Sequence, residues 1–184
     1  PLSQEWQLGE LKLVTLASTH APEEKEILRV LKAALEADPY LVCIVVPRHP
    51  ERFDEVFQAA QSLGLKIQRR SLGQHIKADT QVYLADSMGE MWLWYALSQA
   101  CYVGGSLNEP GGGHNILEPI ALNVPTVLGK NYFNFQTIVD EFVQADAVAV
   151  VQDAQQAAEV LLELLRDQVK AEKLNAAAQQ IMQL

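Results

Sequence analysis

The sequence CYVGGSLNEPGGGHNILEP, residues 101–119, joins an apolar strand to a polar loop framed by five glycines, and a helix is predicted to follow from Asn115 to Leu122. Glycine permits positive φ and lets the backbone approach a ligand closely. Asn115 can cap the helix, and the N–H groups at a helix start can receive a phosphate or carboxylate. Because His114, Asn115 and Glu118 follow the glycines, we interpret this stretch as a ligand-binding loop. A plain surface connection is the alternative interpretation.

Apolar strands and amphipathic helices alternate on both sides of this loop. Strands are predicted at Leu11–Ala17, Leu41–Val46, Lys66–Arg69, Gln81–Ala85, Cys101–Val103, Thr126–Leu128 and Ala147–Val151. Helices are predicted at Pro22–Ala37, Glu51–Leu63, Glu90–Gln99, Asn115–Leu122, Phe135–Phe142, Ala154–Leu165 and Val169–Met182. Such alternation is typical of βαβ units. We predict an α/β fold, a single doubly wound Rossmann-like domain over residues 1–184 with a parallel sheet and C-terminal helices at 154–184.

The composition restricts the classes of function. A net charge of −9 over 184 residues argues against broad nucleic-acid binding, which needs a basic surface. Cys43 and Cys101 lie in apolar runs, so we expect buried free thiols rather than a disulfide or a metal site. We see no signal peptide and no apolar run near the roughly 20 residues that cross a bilayer. The chain as given is therefore expected to be soluble.

Four polar segments follow predicted strands, and in open parallel sheets ligands bind at that edge. The segments are Ser18-Thr19-His20, Pro47-Arg48-His49-Pro50, Asp86-Ser87-Met88-Gly89-Glu90 and the glycine loop. Each has a structural alternative: Ser18 and Thr19 can cap a helix, and Ser87 with Glu90 fits a capping box. Their convergence on one edge favours a binding site.

Individual side chains in these segments support two interpretations each. Arg48 can bind a phosphate or carboxylate in bidentate fashion, or it can be an exposed loop residue. His20 and His49 fit loop positions better than catalytic ones. Met88, Gly89 and Glu90 can form a backbone clamp for a nucleotide base. No G-x-G-x-x-G follows the first strand and no Walker loop occurs, so the common nucleotide-binding fingerprints do not apply.

Several of these motifs occur together in one known family. They are GGSL at 104–107, GGHNILEP at 112–119, PRHPERF at 47–53 and DSMGEM at 86–91, with ASTH at 17–20 and FNF at 133–135. In combination they resemble the 3-deoxy-D-manno-octulosonic acid (Kdo) transferases over about residues 11–150. The segment between Leu107 and His114 is longer than the family's usual loop.

The resemblance implies a membrane-associated bacterial enzyme that moves Kdo from CMP-Kdo to a lipid A precursor in lipopolysaccharide inner-core synthesis. It implies a GT-B architecture, of which this chain is the C-terminal, donor-binding half. The membrane anchor, the acceptor site and the general base would then belong to an N-terminal half that this chain lacks, so catalytic residues stay unknown and the chain alone is expected to be inactive. The whole enzyme would work at the cytoplasmic face of the inner membrane.

The candidate segments and the resemblance together define a predicted donor-binding set. Arg48 and the start of the Asn115 helix are assigned to anionic groups, and Glu118 to ribose hydroxyls or to holding the loop. No D-x-D motif occurs, so we predict transfer without a metal and without a cofactor. The full set is Ser18, Thr19, Arg48, His49, Met88, Gly89, Glu90, Gly112, Gly113, His114, Asn115 and Glu118.

Two other classes of function remain open at this stage. A UDP-sugar epimerase of the same architecture would prefer a uridine nucleotide. A non-catalytic nucleotide-binding module is the second alternative. Trp92, Trp94 and Tyr95 fall on one predicted helix, where packing in the core or against another domain is favoured over a platform for sugar stacking.

Overall fold

The computed structural model describes residues 2–183, which form a seven-stranded sheet with helices on both faces. The strands are β1 Lys12–Thr19, β2 Leu41–Pro47, β3 Ile67–Arg69, β4 Val82–Leu84, β5 Ala100–Val103, β6 Thr126–Gly129 and β7 Ala149–Val151. Their order is β3-β4-β2-β1-β5-β6-β7, and every neighbouring pair is parallel. The predicted α/β, doubly wound parallel fold is confirmed.

Eight α-helices connect and cover these strands within residues 2–183. They are α1 Leu2–Glu5, α2 Glu23–Ala37, α3 Phe53–Ser62, α4 Met91–Leu97, α5 Leu117–Ala121, α6 Gln136–Gln144, α7 Ala154–Arg166 and α8 Gln168–Met182. Short 3₁₀ turns lie at Pro50–Arg52, Arg70–Leu72 and Phe133–Phe135. The sequence pattern did not predict α1.

The core is divided by the sheet into two apolar layers. All seven residues of β2 are buried, as expected for a central strand that is covered on both faces. On one face α2 contributes Ile27, Leu28, Leu31 and Leu35, which pack with side chains of α3 and α7. Full burial of each such side chain stabilises the fold by about 1.5–3 kcal/mol. Trp94 and Tyr95 are buried on the other face, as predicted, whereas Trp92 is 58% exposed.

The helix after the glycine loop is shorter than predicted. It runs from Leu117 to Ala121 instead of from Asn115 to Leu122, and Ile116 occupies the N-cap position. Asn115 lies one residue earlier, and its Oδ1 accepts a hydrogen bond from the N–H of Leu117 at 2.9 Å. The Asn115 side chain thus binds the first N–H of the helix from outside it, and Asn123, with φ 61, follows the C-cap residue Leu122 in the left-handed region.

The two predicted capping roles are wrong. Pro22 is the N-cap residue of α2 and no side chain caps that helix, so Ser18 and Thr19 have no such role. The Ser87 hydroxyl donates to the carboxylate of Glu90, whereas in a capping box the serine oxygen would accept from a backbone N–H; the N-cap residue of α4 is Glu90 itself. Cys43 and Cys101 are free and buried, as predicted. Among residues 2–183 no helix has the length and apolar character needed to cross a membrane.

Candidate functional site

The polar segments converge at the carboxyl edge of the sheet. Between β1 and β5 the order in which successive strands are added to the sheet reverses. Strands β1 and β2 lie to one side of that point, while β5, β6 and β7 lie to the other. The loops after β1 and β5 therefore flank the crevice in which doubly wound sheets bind their ligands.

His20 follows β1, His114 belongs to the loop after β5, and the two imidazoles meet in this crevice. Their Nε2 atoms are 2.8 Å apart, and the rings stack with centroids 5.1 Å apart and planes inclined by 12°. His49 packs edge-on against His20 at a centroid distance of 5.1 Å. Because one Nε2 must donate and the other must accept, this hydrogen bond excludes protonation of both rings on those atoms.

The surroundings of the histidine pair favour its neutral form. Burial, followed by the positive charges expected on His20 and Arg48, lowers the pKa of His114 to about 4. Burial also lowers the pKa of His20, although the negative charge of Glu23 acts in the opposite direction. At neutral pH the uncharged pair therefore keeps one N–H donor for a ligand, on Nδ1 of the ring whose Nε2 accepts the hydrogen bond.

Gly105 lies directly against the two imidazoles. A Cβ atom at this position would be 2.8 Å from His114 Cδ2 and 3.1 Å from His20 Cδ2, and the residue has φ +71. Any other residue would push the rings apart and pay for a left-handed backbone. The glycine therefore permits the histidine pair to form.

The main chain of Gly112 and Gly113 is hydrogen-bonded within the protein. The N–H of Gly112 donates to the carbonyl of Asn131 at 2.9 Å, and the N–H of Gly113 donates to the carbonyl of Gly105 at 2.8 Å. Neither N–H is left for a phosphate. A Cβ at Gly112 would come within van der Waals overlap of the Asn134 amide, so the glycine allows the loop to pack on the segment after β6.

The free donors of this loop come later in the sequence. The main-chain N–H groups of His114, Asn115 and Ile116 donate to no acceptor within residues 2–183. Arg48, after β2, is exposed, and its guanidinium forms no ion pair within the same residues. The N–H of Arg48 donates to the carbonyl of Thr19 at 3.0 Å, which ties the ends of β1 and β2 together. A cationic side chain and several free N–H groups thus border the histidine pair.

Two residues at the end of β1 have unusual local structure. Ser18 has φ 53, and the pairing of β1 with β2 shifts register at this point. Thr19 is fully buried, and its Oγ1 has no hydrogen-bond partner. A non-glycine residue in the left-handed region costs energy and is often found at binding sites.

The segment after β4 is held by two arginines that the sequence reading did not single out. Arg70 donates to both carboxylate oxygens of Glu90 at 3.2 and 3.0 Å, and these bonds with that of Ser87 lower the pKa of Glu90. Arg69 Nε donates to Asp86 Oδ2 at 2.8 Å.

Met88 and Gly89 form the exposed tip between these two anchored carboxylates, and Gly89 has φ +79. Glu90 thus holds the segment in place, while its own charge is already paired. Glu118 differs, since it is exposed and its carboxylate accepts no hydrogen bond from residues 2–183. Its predicted role on ribose hydroxyls stays a prediction.

The residues that the structure describes include no group of three or more His, Cys, Asp or Glu side chains that could hold a metal ion.

The family model described as glycosyl transferases group 1 matches residues 2–181. The chain belongs to the glycosyl transferases of group 1.

Individual relatives show which glycosyl transferases of group 1 this chain resembles. The chain is 40% identical over 167 residues to the 3-deoxy-D-manno-octulosonic acid transferase of Haemophilus influenzae, covering 90% of this chain and 39% of the relative. Its structure matches the C-terminal CMP-Kdo binding domain of WaaA from Acinetobacter baumannii with a TM-score of 0.98 and 63% identity, covering 100% of this chain and 95% of that domain. The predicted resemblance to the Kdo transferases is confirmed.

A more distant likeness shows the fold alone. A UDP-N-acetylglucosamine 2-epimerase described as putative, from Listeria monocytogenes, superposes with a TM-score of 0.63 at 13% identity, covering 96% of this chain and 44% of that one. The match to the WaaA domain and the family model, and not this likeness, identify the chain as the C-terminal Rossmann-like domain of a GT-B glycosyl transferase.

One buried carboxylate of this glycosyl transferase domain, that of Glu23, was not indicated by any sequence motif. Glu23 is 2% exposed, and its carboxylate accepts five hydrogen bonds. The available signal was weak, because acidic residues are common in the first turn of any helix.

Proposed function

We propose that this domain binds CMP-Kdo and acts as the donor-binding half of a Kdo transferase. The observation that carries the proposal is the 63% identity and TM-score of 0.98 to a CMP-Kdo binding domain. The whole enzyme would transfer Kdo to a lipid A precursor at the cytoplasmic face of the bacterial inner membrane. Acceptor binding, membrane association and the general base are assigned to an N-terminal half, since this chain spans 39% of its Haemophilus relative.

The charge of the ligand fits the groups at the crevice. CMP-Kdo carries one phosphodiester charge and one carboxylate, so its site needs a few fixed donors and not a broad basic surface. The unpaired guanidinium of Arg48 and the free N–H groups of His114 and Asn115 supply such donors. We assign the phosphodiester to this position. Negative charge grows on the phosphate as the bond to Kdo breaks, and each well-placed donor can lower the barrier by about 2.7–4 kcal/mol.

The imidazoles extend the same donor surface. His49 packs on His20, which is hydrogen-bonded to His114, so a ligand at Arg48 would also border this cluster. Ser18 and Thr19 lie at the end of β1, next to His20, and complete the proposed donor-binding set at this edge. Neutral imidazole N–H groups stabilise an anion without needing a counter-charge of their own.

The proposed contacts for the nucleoside are the segment after β4 and Glu118 in α5. The exposed main chain of Met88 and Gly89 is the proposed contact for the cytosine, kept rigid by the Glu90–Arg70 pair. Glu118 is the proposed acceptor for ribose hydroxyls, because its exposed carboxylate has no protein donor within residues 2–183.

Calorimetric titration with nucleotides tests the proposal. CMP and UMP carry the same phosphate and ribose, so their comparison isolates the base, and UDP tests the epimerase alternative. We expect CMP to bind at least about tenfold more tightly than either uridine nucleotide, a difference of about 1.4 kcal/mol. Equal or tighter binding of UMP or UDP would contradict the proposal.

A further inference from the structure

Glu23 has a buried carboxylate that no cation neutralises within residues 2–183. The side chain is 2% exposed, and none of the ion pairs in this part of the chain includes it. A buried charge is tolerated only when hydrogen bonds replace its hydration. The donors are the main-chain N–H groups of His20, Gly105, Ser106 and Leu107, and the hydroxyl of Tyr102.

The two oxygens of Glu23 divide these donors in an informative way. Oε1 accepts from the N–H groups of His20 and Gly105, both at 2.8 Å. Oε2 accepts from Ser106 at 3.2 Å, from Leu107 at 3.0 Å and from the Tyr102 hydroxyl. Burial, and then the charge of Glu23, raises the pKa of Tyr102, so that hydroxyl stays protonated as a donor. Oε1 of Glu23 therefore links the segment after β1, through His20, to the segment after β5, through Gly105.

This bridge lies directly beside the histidine pair. His20 carries one of the imidazoles, and Gly105 lies against both rings at the approach distances given above. The N–H of Gly113, next to His114, donates to the carbonyl of Gly105 at 2.8 Å. Displacement of Gly105 would thus move the main chain that contacts both imidazoles, and it would also move Gly113, the residue before His114.

We propose that Glu23 is a positioning residue for donor binding, which holds His20 and Gly105 so that the imidazoles of His20 and His114 stay hydrogen-bonded. The link to donor binding rests on the proposed function, whereas the link to the histidine pair does not. The charged or titratable groups around the pair are Glu23, Glu24, Arg48, His49 and Arg52.

Glu24 provides a matched control in the same helical turn. It is 1% exposed, and its carboxylate accepts two hydrogen bonds from Arg52 at 2.7 and 2.9 Å. Glu23→Gln and Glu24→Gln each remove one buried negative charge with little change in shape. Only Glu23 contacts the segments that carry the histidine pair.

The experiment compares both variants with the unaltered chain by three measurements. Melting temperature reports stability, calorimetry reports CMP affinity, and nitrogen NMR of labelled imidazoles reports the hydrogen bond between His20 and His114. We expect both variants to melt earlier. We expect only Glu23→Gln to lose the paired imidazole signature and to weaken CMP binding by about tenfold or more, the range typical of a disrupted buried hydrogen-bond network.

Each outcome decides the proposal. A folded Glu23→Gln protein with unchanged imidazole signals and CMP affinity overturns it, as does an equal loss in both variants. If Glu23→Gln does not fold, Tyr102→Phe removes one donor to Oε2 and keeps the carboxylate, and unchanged imidazole signals in that variant then count against the proposal. Failure of the unaltered chain to bind CMP would refute the proposed function instead, while the imidazole signals of the free protein would still test the role of Glu23.

Discussion

At the scale of single residues, the site depends on contacts between segments that are distant in the sequence. The motifs singled out Arg48 and His114 as candidate donor-binding residues, and the structure brings both to the carboxyl edge of the sheet. They did not indicate that the imidazoles of His20 and His114, 94 positions apart, would be hydrogen-bonded. Glu23 was missed for the same reason, because four of its five donors lie near residue 20 only after the chain has folded. Such distances are set by the packing of β1 against β5, which local patterns do not contain.

Arg48→Ala tests the proposed anion contact. The variant should weaken CMP binding by about 1.5–3 kcal/mol, the usual contribution of a hydrogen bond to a charged group. Melting temperature should hardly change, since the side chain is exposed. Arg29→Ala is the matched control because Arg29 is an exposed arginine of α2 that forms no ion pair within residues 2–183. Equal CMP affinities in the two variants would indicate that Arg48 is an exposed loop residue that does not contact the ligand.

The depressed pKa of His114 predicts a pH-dependent loss of stability. Its pKa of about 4 in the folded protein lies below the ordinary histidine pKa of 6.5, so between these values the unfolded chain binds a proton that the folded chain does not. The free energy of unfolding should therefore fall as the pH falls through this interval, and this penalty should be absent at higher pH.

Urea denaturation at about pH 7 and about pH 5 measures this loss, and the decrease should be smaller in His114→Gln than in the unaltered chain. His20 also has a lowered pKa, so some pH dependence should remain in the variant. An undiminished decrease in His114→Gln would show that His114 does not cause it.

At the scale of elements, the period of the apolar residues was a reliable guide where a helix or strand is long and packs on the sheet. The eight-residue β1 and the fifteen-residue α2 lie within two residues of their predicted bounds. The five-residue α5 was predicted too long, because Ile116 and not Asn115 takes the N-cap position and the chain leaves the helix before Asn123, which has φ 61. The glycine loop was found from its composition, but the partners of its N–H groups were not.

Substitution in the glycine loop separates backbone strain from packing. Gly111 and Gly64 have nearly equal φ, +80 and +78, but a Cβ at Gly111 would lie 2.7 Å from Asn131 Cβ, whereas nothing lies within 4 Å at Gly64. Gly64→Ala should cost about 1–2 kcal/mol for the left-handed conformation alone. Gly111→Ala should cost more and should also weaken CMP binding, because it displaces the loop from the segment after β6. Chemical denaturation and calorimetry measure the two effects, and equal stabilities would argue against tight packing of this loop.

At the scale of the whole molecule, the carboxyl edge of the sheet carries donors for an anion but offers few groups for the chemistry of the acceptor. The imidazoles of His20 and His114 are hydrogen-bonded to each other, and the carboxylates of Asp86 and Glu90 are paired with Arg69 and Arg70. This arrangement suits a domain that binds one substrate and presents it to another domain. The alternation of strands and helices was sufficient to predict the sheet. The separation of donor binding from acceptor binding was implied only by the resemblance to a family whose members have longer chains.

The 184-residue chain is therefore expected to bind CMP without transferring Kdo. Binding needs only the donors along this edge, whereas transfer also needs an acceptor site and a base, which we assign to the N-terminal half. The measurement is incubation of the chain with CMP-Kdo and a lipid A precursor, with product detected by mass spectrometry and CMP affinity measured in parallel. The full-length protein serves as the positive control, and its Arg48→Ala variant should lose activity along with CMP affinity. Robust transfer by residues 1–184 alone would show that the acceptor site and the base lie within this domain, and that the assignment of both to the N-terminal half is wrong.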